Sequence, residues 1–520
     1  MRQALFAAFL LSLFVIPLAA QAQTVMPING LTVEAAVPYD GGVVVLAKGG
    51  QTLYVYFMNA TAHMLVYSLN LGSLFRGAPV ASYGFAAYPF NGSLYVEIQP
   101  NYLIFYPSGF QPSDPSSLPL SYVVVFEGLK AVKEFYLYSS VLCLFSFGGL
   151  NALLFVGTYI YGGAVLVFPF YPYTNTTIVL NGENLTVPGK PIIILKMGGN
   201  IFVASIKTVL TPSRQGDVLY VMSYNGTRLV WVKEYTLNQT VYPVPITLGK
   251  FFTVVGGELF FIKDVTKGPS GLSVKMVGVS LCNGDIVSQI ELDRVPSAVL
   301  NIGNRLYLAF QSKHYISVYE FANATLEPIT RLPVVYGNVT ATLEGVSGGE
   351  VKNLTIYAPL TRVYYSFGNY LLILNPGQNG INVTVVNPVE VTHYFVDGIV
   401  VVANEALLVS KGGNLTLLPL NRYGFPVKEI SLGKSLGDSH WVKLFTVAEG
   451  YYVVIANSSD VAEYFVPFNI TGSSVLSSTN VSIITANRTN SVIPVVALTV
   501  GALVTVITVL VLSRRRLTSD

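Results

Sequence analysis

Two cysteines in 520 residues, Cys143 and Cys282, are too few to staple a chain of this size with disulfides. They either pair with each other or are both small buried residues. Charge is scarce too: Asp, Glu, Lys and Arg supply 11% of the chain, less than half the usual share of about 25%. Setting aside Arg2, Arg514, Arg515, Arg516 and Asp520 leaves 26 basic and 26 acidic residues. A neutral body without a basic run excludes nucleic acid as a partner and long-range steering of charged substrates. Few carboxylates also mean little stability to lose when acid titrates them, which suits an acidic exterior. No P-loop, dinucleotide fingerprint or EF-hand loop occurs, so no cofactor is expected. No amphipathic helical stretch of convincing length appears either.

What the chain does have begins at its two ends. Met1 and Arg2 precede an apolar run, Ala4 to Ala20, that closes on Ala20-Gln21-Ala22. This is the pattern of a secretory signal over residues 1–22, with the mature chain starting near Gln23. Val492 to Leu512 carries no charge, is apolar on every face and is long enough to cross a hydrocarbon core of about 30 Å. Arg514, Arg515 and Arg516 follow at once, and the positive-inside rule keeps them in the cytoplasm. The expected layout is a single pass in the cell membrane with residues 23–470 folded outside, a Ser/Thr/Asn-rich stalk at 471–491, the anchor at 492–512 and a basic tail at 513–520. Gly501 has no second glycine four positions away, so helix dimerisation is only weakly indicated and the oligomeric state stays open.

Fifteen of the 31 asparagines stand in Asn-x-Ser/Thr sequons: Asn59, Asn91, Asn175, Asn184, Asn225, Asn238, Asn323, Asn338, Asn353, Asn382, Asn414, Asn457, Asn469, Asn480 and Asn487. Chance pairing with the available Ser and Thr would give about four. Such an excess points to a glycan-coated surface, because each sequon takes a bulky sugar only on the far side of a translocating membrane. A heavily glycosylated, disulfide-poor chain with a short basic tail resembles the membrane-anchored cell-surface glycoproteins of thermophilic archaea. The resemblance rests on layout and composition, and implies a location and a coat rather than an activity.

Between the ends, Val, Tyr, Phe, Leu and Thr dominate with recurrent alternation of period two, so the body is all-β. One pattern recurs nine times: a glycine followed by a short aromatic and aliphatic run, at Gly50, Gly92, Gly149, Gly199, Gly257, Gly303, Gly368, Gly398 and Gly450. The spacing approaches the ~40 to 50 residues of a four-stranded propeller blade. Asn-Gly pairs such as Asn91-Gly92, Asn181-Gly182 and Asn283-Gly284 supply left-handed positions for tight hairpins. The expectation is a seven- or eight-bladed β-propeller, with tandem β-sandwiches as the alternative. Pro107 to Pro119 reads as an exposed loop.

Chemistry is harder to find. Gly345-Val346-Ser347-Gly348-Gly349 matches the G-x-S-x-G elbow, but Glu350 to Tyr357 reads as turn and strand where the elbow needs a helix. His63, His314, His393 and His440 are scattered, and the pairs His393 with Asp397 and Asp438 with His440 fall short of a closed ligand set. Asp460 and Glu463 read as solvated loop charges that would face opposite sides of a strand. No catalytic or metal residue is therefore assigned. The 33 tyrosines and 29 phenylalanines offer sugar-stacking surfaces, although their regular placement in strands favours core packing. The leading expectation is a non-enzymatic surface glycoprotein, a platform for an envelope protein or glycan, held to the lipid bilayer by its C-terminal helix. The alternatives are a membrane-tethered hydrolase of polysaccharide or peptide using carboxylates at the propeller's central opening, and a structural lattice component.

Overall fold

A computed structural model describes residues 22–468, except 60, 76–79, 103–118, 139, 148–149, 158–174, 181–182, 212–213, 240–250, 269–270, 344–351, 367–368, 378–379, 404 and 437–440. The signal segment 1–21, the stalk, the anchor, the arginine tail and the sequons Asn469, Asn480 and Asn487 lie outside the described residues, as does all of the Pro107 to Pro119 loop but its last residue. Among the described residues no helix is long and apolar enough to cross a membrane.

The described chain is almost wholly antiparallel strand, as its β-branched and aromatic content demands. Seven sheets of four strands and one of eight make up the body. The eight-stranded sheet is two four-stranded units joined by a short parallel pairing, Asn238 to Asp264 and Gln239 to Val265. Counted this way there are nine units, numbered here as sheets 1 to 9 in chain order from Thr32, with a separate hairpin, Tyr336–Leu343 and Lys352–Pro359, between sheets 6 and 7.

Each sheet packs on the next through a shared apolar core, and the last packs on the first. Ile302 and Tyr307 of sheet 6 meet Leu371 and Ile373 of sheet 7; Leu408 of sheet 8 meets Leu444 and Val453 of sheet 9; Val454 of sheet 9 meets Val43 and Met58 of sheet 1. Second strands, sandwiched by neighbours on both faces, lose the alternation of a half-buried strand: Tyr370–Pro376 is buried at every position but its last, and Gly450–Ala456 throughout. Outer strands such as Lys130–Leu137 stay mostly exposed. The closure is made by the N-terminal strand, Ala22–Pro27, which becomes the outer strand of sheet 9 by pairing with Asp460–Pro467. A chain starting near Gln23 would keep all but the first pair of that ladder.

This is a propeller-like ring. Tandem sandwiches would bury sheets two by two, whereas here each sheet has a partner on both sides. The expected blade number is corrected: among the described residues nine four-stranded units replace seven or eight. The first strands of neighbouring sheets approach one another around the ring, as Thr32–Tyr39 does Val80–Phe90 and Trp441–Val447.

Two further expectations are settled by placement. Cys143, half-buried in sheet 3, and Cys282, exposed in a turn of sheet 5, are both free thiols, with sheet 4 between them. Glu463 is no solvated loop charge: it lies inside Asp460–Pro467 and is 2% exposed, because the strand sends its side chain into the core shared with sheet 1.

Candidate functional site

The residues singled out from sequence do not converge. His63 is exposed on the outer strand of sheet 1 and His314 in a turn of sheet 6. His393 Nδ1 lies 2.9 Å from Thr384 Oγ1, while Asp397 pairs with Lys411 rather than with His393. Asp438, His440 and Ser347 lie outside the described residues, but the segment holding Ser347 is followed by the strand Lys352–Pro359, where a nucleophile elbow needs a helix. Among the described residues no cluster of three or more His, Cys, Asp or Glu could hold a metal. The described strands nearest the central opening are not acidic either. The first strands of the nine sheets carry one carboxylate, Glu34, against Lys190, Lys196, Arg362 and Lys443.

Two carboxylates are instead engaged away from the axis. Glu97, fully buried on the second strand of sheet 2, accepts from Leu142 N–H at 2.7 Å and from Gln99 Nε2 at 2.9 Å. The Tyr88 hydroxyl donates to Leu142 O at 3.3 Å, so carboxyl and phenol together satisfy both backbone groups of Leu142 on the first strand of sheet 3. Burial pushes the Glu97 carboxyl up and the hydrogen bonds from Leu142 and Gln99 oppose it. No solvent reaches it, so Glu97 is an inter-sheet lock.

Glu134 is different. It is exposed on the outer strand of sheet 2, and each of its oxygens takes a phenol proton: Tyr67, from the outer strand of sheet 1, donates to Oε1 at 2.5 Å, and Tyr122, from the third strand of sheet 2, donates to Oε2. Tyr122 is buried while Tyr67 is half-exposed. Each outer strand carries a one-residue bulge close to its contributor, Val66 directly before Tyr67 and Val132 two residues before Glu134. Bulges re-aim the side chains that follow them. Burial first, then the hydrogen bond to Glu134 and its charge, push both hydroxyls well above the usual phenol range. Neither phenol therefore ionises by itself near neutrality.

Aromatic rings surround this trio. Tyr136 lies across from Tyr122 with ring centroids 4.8 Å apart, Tyr138 follows at 6.2 Å, and Phe75 meets Tyr136 edge-on at 6.2 Å. The Tyr136 hydroxyl is tied to Leu74 O at 2.8 Å, which fixes its ring, while Tyr138 is 51% exposed. The result is an aromatic basin with one carboxylate, held by the phenols of half-exposed Tyr67 and buried Tyr122. Sequence reasoning missed it because its residues come from three strands of two sheets; the only signal was the Tyr67, Tyr122 and Tyr136 content that reads equally as core.

At the opposite end of sheets 1 and 2, Pro38, Asp40, Pro89 and Asn91 line an open cleft of about 350 Å³, and Tyr39 donates to Gly92 O across it at 2.9 Å. It holds no second carboxylate. Asn91, Asn175, Asn184, Asn225, Asn238, Asn323, Asn338, Asn382 and Asn414 are exposed, and Asn59 and Asn457 half-buried. Asn353 sits on the hairpin strand Lys352–Pro359.

No known family profile and no curated relative matches the chain. Solved structures give remote likenesses. The β-propeller domain of the Trilobed protease from Pyrococcus furiosus matches at TM-score 0.34 and 10% identity, over 63% of this chain and 93% of that one. A puromycin-hydrolyzing peptidase of Mycobacterium tuberculosis matches at TM-score 0.32 and 10% identity, over 73% and 61%. The acylaminoacyl peptidase of Pyrococcus horikoshii matches at TM-score 0.33 and 8% identity, over 73% and 52%. The chain thus spans about three fifths or less of the two full peptidases. Likenesses this remote assign no activity and no residue to this chain. Peptidases stand among these neighbours where the expectation was a non-enzymatic platform, and that reading is withdrawn.

Proposed function

We propose that the chain is a membrane-tethered extracellular hydrolase of polysaccharide, with Tyr67 as nucleophile and Glu134 as its base. The observation that carries this reading is the 2.5 Å hydrogen bond from the accessible Tyr67 hydroxyl to Glu134, whose other oxygen is held by buried Tyr122. A weak nucleophile, an adjacent base and a third group orienting that base form the general arrangement of covalent hydrolysis, and tyrosine serves as the nucleophile in some glycosidases. Because burial keeps the phenol protonated, Tyr67 needs its base. In the first step Tyr67 Oη bonds to the anomeric carbon as its proton passes to Glu134 Oε1; the glycosidic bond breaks, and the departing oxygen takes a proton from water. In the second step the hydroxide so formed adds at that carbon, the bond from the carbon to Tyr67 Oη breaks, and the departing phenolate takes back the proton held on Glu134 Oε1, which restores both residues.

The surroundings support a sugar substrate. Tyr136 and Tyr138 offer exposed ring faces beside Glu134 on one side of one strand, a surface on which the C–H faces of successive pyranoses can stack. The sequons of sheets 1 and 2, Asn59 and Asn91, sit at hairpins of the other end, so glycans there would leave the basin open. The leader, glycosylated stalk, 492–512 anchor and arginine tail belong to the same proposal: they hold the ring outside the cell against the bilayer, within reach of envelope polysaccharide. A fluorinated glycosyl fluoride, which slows the second step, tests the reading. The peptide containing Tyr67 should gain the mass of one sugar. Turnover without any adduct on Tyr67, or full turnover by Tyr67→Phe, would overturn it.

A further inference from the structure

Six aromatic side chains are exposed among the described residues: Tyr136, Tyr138, Tyr315, Tyr357, Phe395 and Phe468. Four have local company. Tyr136 and Tyr138 belong to the basin, Tyr315 lies under the Arg331 guanidinium at 3.9 Å, and Phe468 packs edge-on to Tyr451 at 5.2 Å. Of the other two, Tyr357 stacks on half-buried Tyr336 and still keeps 72% exposure, and Phe395 keeps 42%. Each stands directly opposite a sequon asparagine in an antiparallel ladder: Asn338 pairs with Tyr357, and Asn382 with Phe395.

We propose that Tyr357 and Phe395 are packing platforms for N-linked glycans on Asn338 and Asn382. Directly opposed residues of an antiparallel pair place their Cβ atoms about 5 Å apart on the same face, so a sugar bonded to the asparagine amide nitrogen lies beside the opposing ring. At the first site the platform is double. Tyr336, two residues before Asn338 and therefore on its face, stacks on Tyr357 with centroids 5.5 Å apart and planes 19° from parallel. At the second, a Cβ placed on Gly377 would lie 3.6 Å from Asn382 Nδ2 and 4.0 Å from Phe395, so asparagine and ring share one small surface that glycine leaves unfilled. A pyranose set against either ring covers apolar surface that otherwise meets water, and its C–H groups meet the negative face of the ring. This also accounts for an exposed aromatic on the hairpin Tyr336–Leu343 and Lys352–Pro359, which lies outside the four-stranded sheets.

The proposal does not depend on hydrolysis, and its test reads occupancy and melting temperature rather than activity. The full chain is produced in a host that attaches N-glycans and mapped by glycopeptide mass spectrometry. Wild type, Asn338→Gln, Tyr357→Ala and the double variant are then melted. Asn338 should be occupied, each single variant should melt about 1–3 °C lower, and the double variant should melt no lower than either single one. Asn382→Gln and Phe395→Ala should behave in the same way, whereas Asn225→Gln, opposite Arg228, should leave the melting temperature unchanged. Unoccupied Asn338 and Asn382, or losses that simply add in the double variants, would overturn the proposal.

Discussion

Glu463 and Thr24 stand opposite each other across the seam that closes the ring. Thr24 Oγ1 donates to Asn59 O at 2.6 Å, and Glu463 Oε2 has no hydrogen-bond partner. Burial alone pushes the Glu463 carboxyl up to about 8.

The sign of the resulting pH dependence is opposite to that of a salt-bridged carboxylate. Below about 4.5 the group is protonated whether the chain is folded or not; between about 4.5 and 8 only the unfolded chain releases its proton; above 8 both do. The folded state should lose a few kcal/mol, about 1.4 per pKa unit, as pH rises from 4.5 to 8, and Glu463→Gln should flatten that part of the curve. Melting the full chain across this range checks it. A wild-type curve that rises toward pH 8 as steeply as the variant's would show that Glu463 imposes no such penalty.

Glu97 should tolerate a neutral acceptor and little else. Glu97→Gln keeps an oxygen for Leu142 N–H, whereas Glu97→Ala leaves that buried donor without its partner, at about 1–3 kcal/mol beyond the loss of packing. Denaturant unfolding should rank wild type, Gln, then Ala. Equal effects of the two variants would mean that the hydrogen bond contributes nothing.

Two glycines should respond differently to alanine. Gly92 has φ +77° in open space, so Gly92→Ala costs only the backbone strain of a left-handed alanine, about 1–2 kcal/mol. A Cβ on Gly450 would lie 2.2 Å from Val466 O, inside sheet 9, where neither strand can retreat. Expression and melting of the two variants should show Gly450→Ala as the far more damaging change.

The free thiols should differ in reactivity. Cys282 is exposed, while burial pushes the half-buried Cys143 thiol up and withholds the thiolate. A maleimide should label one cysteine per folded chain and two after denaturation. No labelling of the non-reduced, denatured chain would show a disulfide instead.

Much of the architecture is legible in the sequence. Of the nine glycine-led runs, those at Gly92, Gly199, Gly257, Gly303 and Gly450 mark the turn into the second strand of sheets 2, 4, 5, 6 and 9, and Gly149 and Gly368 occupy the same place in the order of sheets 3 and 7. Gly50 and Gly398 are shifted by one connection, because the corresponding turns of sheets 1 and 8 use Asp40-Gly41 and left-handed Glu405. Nine runs thus correspond to nine sheets, although their spacing suggests seven or eight blades. Unequal loops, such as the stretch between Tyr102 and Ser121, make a mean spacing misleading. Glu463 was misread because three-residue spacing predicts opposite faces correctly but does not reveal that both faces of sheet 9 are covered. The basin could not be read at all. Tyr67 and Glu134 are 67 positions apart and meet only because sheet 1 packs on sheet 2, with a bulge in each outer strand close by.

The most direct test of the account is the release of reducing ends from host envelope polysaccharide by the full chain, compared with Tyr67→Phe, Glu134→Gln and Glu97→Gln. Loss of about 10²-fold or more in Tyr67→Phe and Glu134→Gln, with Glu97→Gln close to wild type, is the predicted result. Equal release by all four chains, or none by the wild type, would contradict the assignment and leave Tyr67, Glu134 and Tyr122 as a tie between two sheets.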